Sequence, residues 1–171
     1  MSNTATATKP RTTNKKMDIH TGIPKDKRKE IAAALNHLLA DSYLLYLKSH
    51  NYHWNVTGEL FHSLHELFEE HYSELAEAID EIAERIRALG FRAPGSFEEY
   101  SKLATVEEET DNPDAMEMIR RAVRDHEKVV RTAREALGPC QEVDDEATID
   151  LLTERLAVHE KSAWMLRSHL E

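Results

Sequence analysis

Apolar residues recur at intervals of three and four along most of the chain, which is the spacing of one face of an α-helix. Four long runs show this spacing, at residues 24–55, 59–90, 113–138 and in the segment after Asp144. The second run is the clearest, with apolar positions that include Leu64, Phe68 and Leu75. We therefore expect four long amphipathic helices, the third of them stopped by Gly138-Pro139.

The connection between the second and third runs is long. Glycine and proline interrupt the chain at residues 90–95, and Ser96 is a residue type that favours the N-cap of a helix. Residues 97–103 predict a short helix after this cap, and the acidic run 107–111 predicts a loop. With only five glycines and five prolines in 171 residues, the composition favours an all-α fold. We predict a four-helix bundle with a short extra helix in the crossover between helices 2 and 3.

Five residues in and before the second run are candidate metal ligands: His53, His65, Glu69, Asp80 and Glu84. His65 and Glu69 are four residues apart and share a helix face, and the same holds for Asp80 and Glu84. Glu69 and Asp80 are eleven residues apart, roughly 16 Å along a helix, whereas metal–ligand bonds are about 2 Å long. One ion therefore cannot bind both pairs within one chain.

Two arrangements of these pairs remain. Either they form two half-sites with too few ligands, or the helix meets an antiparallel copy of itself across a two-fold axis near residues 73–75. In the second arrangement His53, which precedes Gly58, could supply a fifth ligand. Two imidazoles and three carboxylates suit iron, zinc or manganese. The competing interpretation is a solvated acidic helix surface that binds no metal.

The sequence argues against two other metal motifs. The zinc-protease pattern HExxH starts at His65-Glu66 but has Glu69 in place of its second histidine. Carboxylate di-iron bundles use two Glu-x-x-His pairs, whereas this chain contains one, Glu59-x-x-His62. An intrachain di-iron site is therefore not expected.

Several short motifs occur together in this chain. They are His53-Trp54-Asn55-x-x-Gly58, Phe61, Leu64-His65-Glu66, Tyr72, Asp80-Glu81-Ile82-Ala83-Glu84-Arg85 and His159-Glu160-Lys161-x-x-Trp164-Met165-Leu166. The combination resembles the Dps family, the mini-ferritins known as DNA-binding proteins from starved cells, over residues 26–171. The resemblance implies a ferritin-like bundle in which His53, His65 and Glu69 are ferroxidase ligands and Asp80 and Glu84 come from the two-fold partner. Many relatives have Asp in place of Glu69, and some have Lys in place of His50.

The resemblance also implies an activity and an assembly. Family members form hollow homododecamers that oxidise ferrous iron, here with hydrogen peroxide as the expected oxidant, and store ferric mineral, which protects DNA. Asp145 and Asp150 resemble aspartates that line an acidic three-fold pore, with helix capping as the alternative. Glu66 and Glu70 are candidates for nucleating the mineral, with a charged outer face as the alternative. Zinc is expected to compete with iron.

Charge is distributed unevenly along the chain. Residues 1–28 carry seven basic and two acidic side chains, a net charge of +5, against −15 for the remainder. Residues 1–24 have few large apolar side chains and predict a flexible tail ahead of a domain at 25–171. Such a tail could bind DNA phosphates non-specifically, helped by the many copies in an oligomer, or it could be a solvated terminus.

The remaining features bear on location and on rival functions. The single cysteine, Cys140, favours a reducing compartment, and no apolar run of membrane-spanning or signal-peptide type occurs. We expect a cytoplasmic protein that could associate with the nucleoid. Two other functions stay open: a nucleoid-compacting DNA-binding protein with a zinc-filled or vestigial metal site, and a zinc or manganese carrier.

Most of the remaining aromatic and histidine side chains are expected to pack in the fold or to lie exposed at its surface. Trp54 is expected to pack in the core, and the resemblance implies the alternative that it lies near the metal site. Trp164 is counted among the apolar positions of the last helix. Asp125-His126-Glu127 could bind a metal ion, but no partner ligand lies at a suitable spacing to complete a site. His159 and His169 are expected to be structural or exposed.

Overall fold

The chain folds into five α-helices in the computed structural model, which describes residues 18–171. They are α1 (Lys25–Asn55), α2 (Phe61–Ala88), α3 (Phe97–Leu103), α4 (Ala115–Gln141) and α5 (Glu146–Arg167). α1 packs against α2 and α4, α4 packs against α5, and the short α3 packs against α1. No strand occurs within residues 18–171. The predicted all-α four-helix bundle with an extra helix in the crossover is confirmed.

Apolar side chains from the long helices fill the bundle. The larger core cluster includes Ile31, Leu35 and Leu38 of α1, each 0% exposed, and a second cluster brings Tyr52 of α1 against Phe68 of α2. Burying a side chain of this size stabilises the fold by about 1.5–3 kcal/mol relative to leaving it exposed. The apolar spacing therefore determines which face of each helix turns outward. None of the helices within residues 18–171 has both the length and the apolar character needed to span a bilayer.

α4 continues past the point at which its end is predicted. Gly138-Pro139 lies within the helix, which extends to Gln141. Cys140 is 0% exposed in the larger core cluster, and its thiol donates to the Ala136 carbonyl at 3.2 Å. Burial of this last turn outweighs the poor helix propensity of glycine and proline. The prediction that Gly138-Pro139 stops the helix is therefore wrong.

The crossover is fixed at both of its ends. Ser96 caps α3 as predicted: its side chain accepts from the Glu99 N–H at 3.3 Å, and the Glu99 carboxylate accepts from the Ser96 hydroxyl at 2.9 Å. Beyond α3, the buried Asp41 carboxylate accepts from the Val106 N–H at 2.9 Å and the Thr132 hydroxyl at 2.7 Å. The crossover is thus tied to both α1 and α4.

Part of the predicted tail lies against the bundle. Ile19 is partly buried and fills the space beside Gly90, where an added Cβ would clash with it. Arg28 donates to the Leu89 carbonyl at 2.6 Å and so ties the start of α1 to the end of α2. Contact with the bundle therefore includes Ile19, which precedes the predicted boundary at residue 25. The tail prediction for residues 1–17 lies outside the described residues.

Candidate metal centre

Three of the five predicted ligands meet across the break between α1 and α2. His53 lies in the last turn of α1, and His65 and Glu69 lie near the start of α2. Gly58, with a φ of +104°, lies between the two helices in a conformation that favours glycine. One donor atom from each of His53, His65 and Glu69 lies within 4.8 Å of the other two. Within residues 18–171 no other set of three or more potential ligands is this close.

Backbone carbonyls orient both imidazoles. His53 Nδ1 lies 2.8 Å from the His65 carbonyl oxygen, and His65 Nδ1 lies 2.8 Å from the His53 carbonyl oxygen. A carbonyl oxygen can only accept, so each Nδ1 carries the proton and donates it. Each Nε2 therefore keeps its lone pair for a metal ion, the arrangement common among histidine ligands.

Aromatic side chains surround this group. The Tyr72 hydroxyl donates to Glu69 across 3.4 Å, and the Tyr72 ring centroid lies 5.2 Å from that of His53. His50 packs against both Tyr72 and Trp54, with a centroid distance of 4.1 Å to each. Trp54 is 62% exposed, so the prediction that it packs in the core is wrong. Its ring covers His50 on the outer surface of α1.

Asp80 and Glu84 lie further along α2 and do not join the group within one chain. Both side chains are exposed. Asp80 lies on the stripe that carries Glu69, because Tyr72, Ala76 and Asp80 follow at intervals of three and four residues. Ala76 is small and exposed, which leaves room for another helix to approach. The site shared between two chains stays a prediction.

Glu66 and Glu70 are exposed on another side of α2. They line a groove of about 390 Å³ whose other walls include Trp164 and His169. Trp164 is 62% exposed, so its apolar side chain faces this groove and does not fill the core as predicted. A role for the two glutamates in nucleating mineral stays a prediction.

The two candidate pore residues differ in their surroundings. Asp145 is 3% exposed, caps α5 by accepting from the Thr148 N–H and hydroxyl, and lies 2.6 Å from the Arg85 guanidinium. The capping interpretation is confirmed for Asp145. Asp150 is exposed on α5. A pore role stays a prediction for both, and for Asp145 it would compete with the bonds to Arg85 and Thr148.

Three histidines that were not predicted as a group are buried together. His71, His126 and His159 are 8%, 2% and 0% exposed, and the rings of His71 and His159 lie 5.1 Å and 5.2 Å from that of His126. Each occupies an apolar position in the spacing of its helix, and this was the available signal. Asp125, beside His126, pairs with Lys48 at 2.5 Å.

Comparison with known proteins identifies relatives over most of the chain. The Ferritin-like domain family matches residues 32–171. A low temperature-induced protein of Nostoc is 45% identical over 155 residues, which cover 90% of this chain and 87% of that protein. The DNA protection during starvation protein 2 of Bacillus anthracis is 39% identical over 142 residues, which cover 83% of this chain and 97% of that protein.

Solved structures agree with the sequence relatives. A Dps protein from Vibrio cholerae O1, described as a member of a broad superfamily of ferritin-like diiron-carboxylate proteins, matches with a TM-score of 0.86 and 34% identity. This match covers 93% of this chain and 100% of that one. A Dps protein from Bacillus brevis matches with a TM-score of 0.83 and 37% identity, covering 87% of this chain and 100% of that one. The chain therefore belongs to the Dps family of ferritin-like proteins, a family of iron storage and DNA protection.

Proposed function

We propose that this chain is a ferroxidase that oxidises ferrous iron at sites shared between two copies and stores the ferric product as mineral in a homododecameric cage. The observation that carries the proposal is the group His53, His65 and Glu69, whose imidazoles are oriented with each Nε2 free. Imidazole and carboxylate ligands both suit iron. Oxidation and storage would remove the ferrous ions that generate hydroxyl radicals near DNA.

The same chain carries the ligands that this group lacks. Asp80 and Glu84 are exposed on α2, with Asp80 roughly 16 Å along the helix from Glu69. An antiparallel second copy of α2, crossing near residues 73–75, would bring its Asp80 and Glu84 beside the Glu69 of the first copy. A two-fold dimer of this kind closes with two equivalent sites. Each site would then hold two imidazoles and three carboxylates.

The exposed aromatic surface supports a second copy at this position. Trp54 and Phe97 are 62% and 64% exposed. A row of ring contacts runs from Phe97 through Tyr43 and Tyr46 to His50, with centroid distances of 6.2, 5.9 and 5.7 Å. Contiguous exposed aromatic surface marks an interaction site. A partner that covers it would also exclude water from the metal ligands.

The expected reaction consumes iron and peroxide together. Two ferrous ions each lose one electron, hydrogen peroxide accepts both, and its O–O bond breaks. The oxygens pass to the ferric product, and hydrolysis of the ferric ions releases protons to the solvent. The imidazoles suit the incoming ferrous ion, whereas the carboxylates of Glu69, Asp80 and Glu84 stabilise the harder ferric ion. Zinc would compete, because its intrinsic affinity for such ligands exceeds that of ferrous iron.

The route of iron into the cage forms part of the proposal. A ring of carboxylates from Asp150, with Asp145, would concentrate cations at a three-fold pore. Mineral would begin at Glu66 and Glu70, whose exposed carboxylates can bind hard cations. We place the protein in the cytoplasm, where ferrous iron and a free thiol stay reduced.

The sharpest test of the shared site is complementation. His65→Ala and Asp80→Ala chains, each assembled alone, should oxidise ferrous iron little faster than buffer in stopped-flow mixing with peroxide or with oxygen. When the two chains are co-assembled, half of the dimers are mixed, and one of the two sites in each mixed dimer is intact. About a quarter of the sites should therefore recover.

The control variant is Glu81→Ala, which removes an exposed carboxylate next to Asp80 and should leave the rate unchanged. Failure of the mixture to recover activity would contradict the shared site. A wild-type protein that oxidises iron no faster than buffer would contradict the ferroxidase itself and favour a zinc or manganese carrier.

A second candidate function is DNA compaction, with the metal site vestigial or filled by zinc. It is favoured by the net charge of +5 on residues 1–28 beside −15 on the remainder. Deletion of residues 1–17 should abolish a salt-sensitive DNA mobility shift and leave iron oxidation intact. A mobility shift that survives the deletion would contradict binding through this segment.

A further inference from the structure

The two candidate histidine ligands of the metal centre lie within a row of four aromatic rings. The rings of His53 and His65 stack with a centroid distance of 3.8 Å and an interplanar angle of 20°. Phe61 stacks on His65 at 5.2 Å and 28°. Tyr72 meets His53 at 5.2 Å with an interplanar angle of 75°. The two imidazoles therefore occupy the middle of the row, and Phe61 and Tyr72 form its ends.

Phe61 covers the face of His65 that His53 leaves open. Both rings lie nearly parallel to the His65 imidazole, and two such rings on the same face would touch each other. Phe61 and His53 make no ring contact with each other in the part of the chain that the structure describes. They therefore lie on opposite faces of His65, whose imidazole is enclosed between them.

Local structure brings the Phe61 ring to this place. Phe61 is the first residue of α2 and precedes His65 by four residues, so the two side chains share a face of the helix. Its N–H donates to the Gly58 carbonyl at 3.0 Å, which ties it to the turn between α1 and α2. Phe61 is 46% exposed and belongs to neither of the two apolar clusters formed by residues 18–171. Packing of the core therefore does not account for this side chain.

The hydrogen bond of His65 leaves one movement of its ring unrestrained. Nδ1 lies 2.8 Å from the His53 carbonyl oxygen, and this bond determines which nitrogen is free to bind metal. The imidazole plane can still tilt about the bond, and a tilt moves Nε2 on the other side of the ring away from Nε2 of His53. Rings on both faces oppose this tilt, and offset stacking adds an attraction of its own.

We propose that Phe61 is a positioning residue of the metal centre, which holds the His65 imidazole in the orientation that binds a divalent ion; this role rests on the ferroxidase site proposed above. Phe61 has no ligand atom and acts only through His65. A ligand that is already oriented loses less freedom when the ion binds, so its affinity is higher. Loss of the ring should weaken binding about two- to tenfold, the range expected for a pair of aromatic rings.

Zinc affinity of the full-length protein tests this role without iron chemistry. Phe61→Leu removes the ring, keeps an apolar side chain, and should bind zinc about fivefold more weakly than the wild type. Phe61→Tyr keeps the ring and should bind zinc as tightly as the wild type. The matched control is Trp164→Leu, which removes an exposed ring from the groove beside α5 and should leave the affinity unchanged. His65→Ala gives the affinity that remains without the site.

Stopped-flow oxidation over a range of ferrous concentrations separates positioning from a role in folding. Phe61→Leu should raise KM for ferrous iron about fivefold and change kcat less than about twofold, because the ring aids binding and not the chemical step. Phe61→Tyr should restore the wild-type KM. The melting temperatures of both variants should stay close to that of the wild type, since the ring lies outside the core clusters.

Wild-type zinc affinity in Phe61→Leu would overturn the proposal, and so would a Phe61→Tyr protein that binds as weakly as Phe61→Leu. A crystal structure of the zinc-loaded wild type needs no variant: the Phe61 ring should stay stacked on His65, and a ring turned away would overturn the role. If the wild type oxidises no iron but the zinc affinities follow the expected order, the proposed ferroxidase fails and the role of Phe61 stands. If the wild type binds zinc no more tightly than His65→Ala, the metal centre fails and the role of Phe61 falls with it.

Discussion

Two groups of histidines in this protein lie in opposite environments. His53 and His65 lie at a half-buried edge of the bundle, and each has its Nδ1 bonded to a backbone carbonyl. His126 and His159 lie in the bundle centre, where they bond only to each other and keep both Nε2 atoms without partners. A hydrogen bond to a backbone carbonyl determines which ring nitrogen of a histidine is protonated and which is free to bind a metal ion. Burial determines only whether the ring is charged.

The largest expected effect is the pH dependence of the buried pair. Burial, with repulsion from Arg155 and His71, lowers the pKa of His159 to about 3, and burial lowers that of His126 as well. The unfolded chain, with histidine pKa values of about 6.5, takes up protons first as the pH falls. The stability is therefore fully present above pH 6.5 and is lost below it, by about 1.4 kcal/mol per pH unit for each histidine.

Urea unfolding of the metal-free protein between pH 7.5 and 4.5 measures this loss. The His159→Asn variant should show a shallower dependence. The His37→Asn variant, which alters an exposed histidine on α1, should match the wild type. An unfolding free energy that is flat between pH 6.5 and 4.5 would contradict the description of a buried neutral pair.

Alanine substitution should lower the stability of the fold in the buried histidine group and the rate of iron oxidation in the half-buried group. His159→Ala is expected to lower the unfolding free energy by about 2–4 kcal/mol, because it opens a cavity and leaves His126 without a partner. It should leave the iron oxidation rate near that of the wild type. His65→Ala should lower that rate at least ~100-fold and change the melting temperature by only a few degrees. Stopped-flow mixing measures the iron oxidation rate of both variants, and thermal unfolding measures their stability. A large loss of rate in His159→Ala together with a large loss of stability in His65→Ala would contradict the comparison.

A contrast between a buried and an exposed side chain also holds for Asp145, the N-cap of α5, and Asp150 within that helix. Asp145→Asn should lower the unfolding free energy by about 2 kcal/mol, because it weakens the helix cap and removes the charge paired with Arg85. Asp150→Asn should change it by less than about 0.5 kcal/mol, since this side chain is exposed. Chemical denaturation of both variants measures the two values. Equal losses would show that burial does not distinguish the two residues.

The smallest effect is expected at Tyr72. Its hydroxyl reaches Glu69 only across 3.4 Å, a long hydrogen bond. Tyr72→Phe should therefore slow ferrous oxidation about two- to threefold, corresponding to well under 1 kcal/mol. A loss as large as that of His65→Ala would mean that the phenol takes part in the reaction and is not merely a neighbour of the ligands.

Residue spacing predicted most of the fold and the shared helix face of His65 and Glu69. The helices and the Ser96 cap depend on intervals that a sequence displays directly, whereas the approach of His53 to His65 was implied by the resemblance to the Dps family. The exposure of Trp54 and Trp164 was missed, since periodicity cannot tell a face that packs on the core from one left open. The contact of His71 with His126, and that of Asp145 with Arg85, depend on how distant helices are rotated. No local spacing records that rotation.

The reciprocal hydrogen bonds of His53 and His65 have a kinetic consequence. They join one side chain to the backbone of the other and do not involve a metal ion. In the proposed ferroxidase, both rings would therefore keep their orientation after an ion leaves, and the next ion would bind without reordering of the chain. A site of this kind is better suited to repeated binding and release of ions than to permanent binding of one ion.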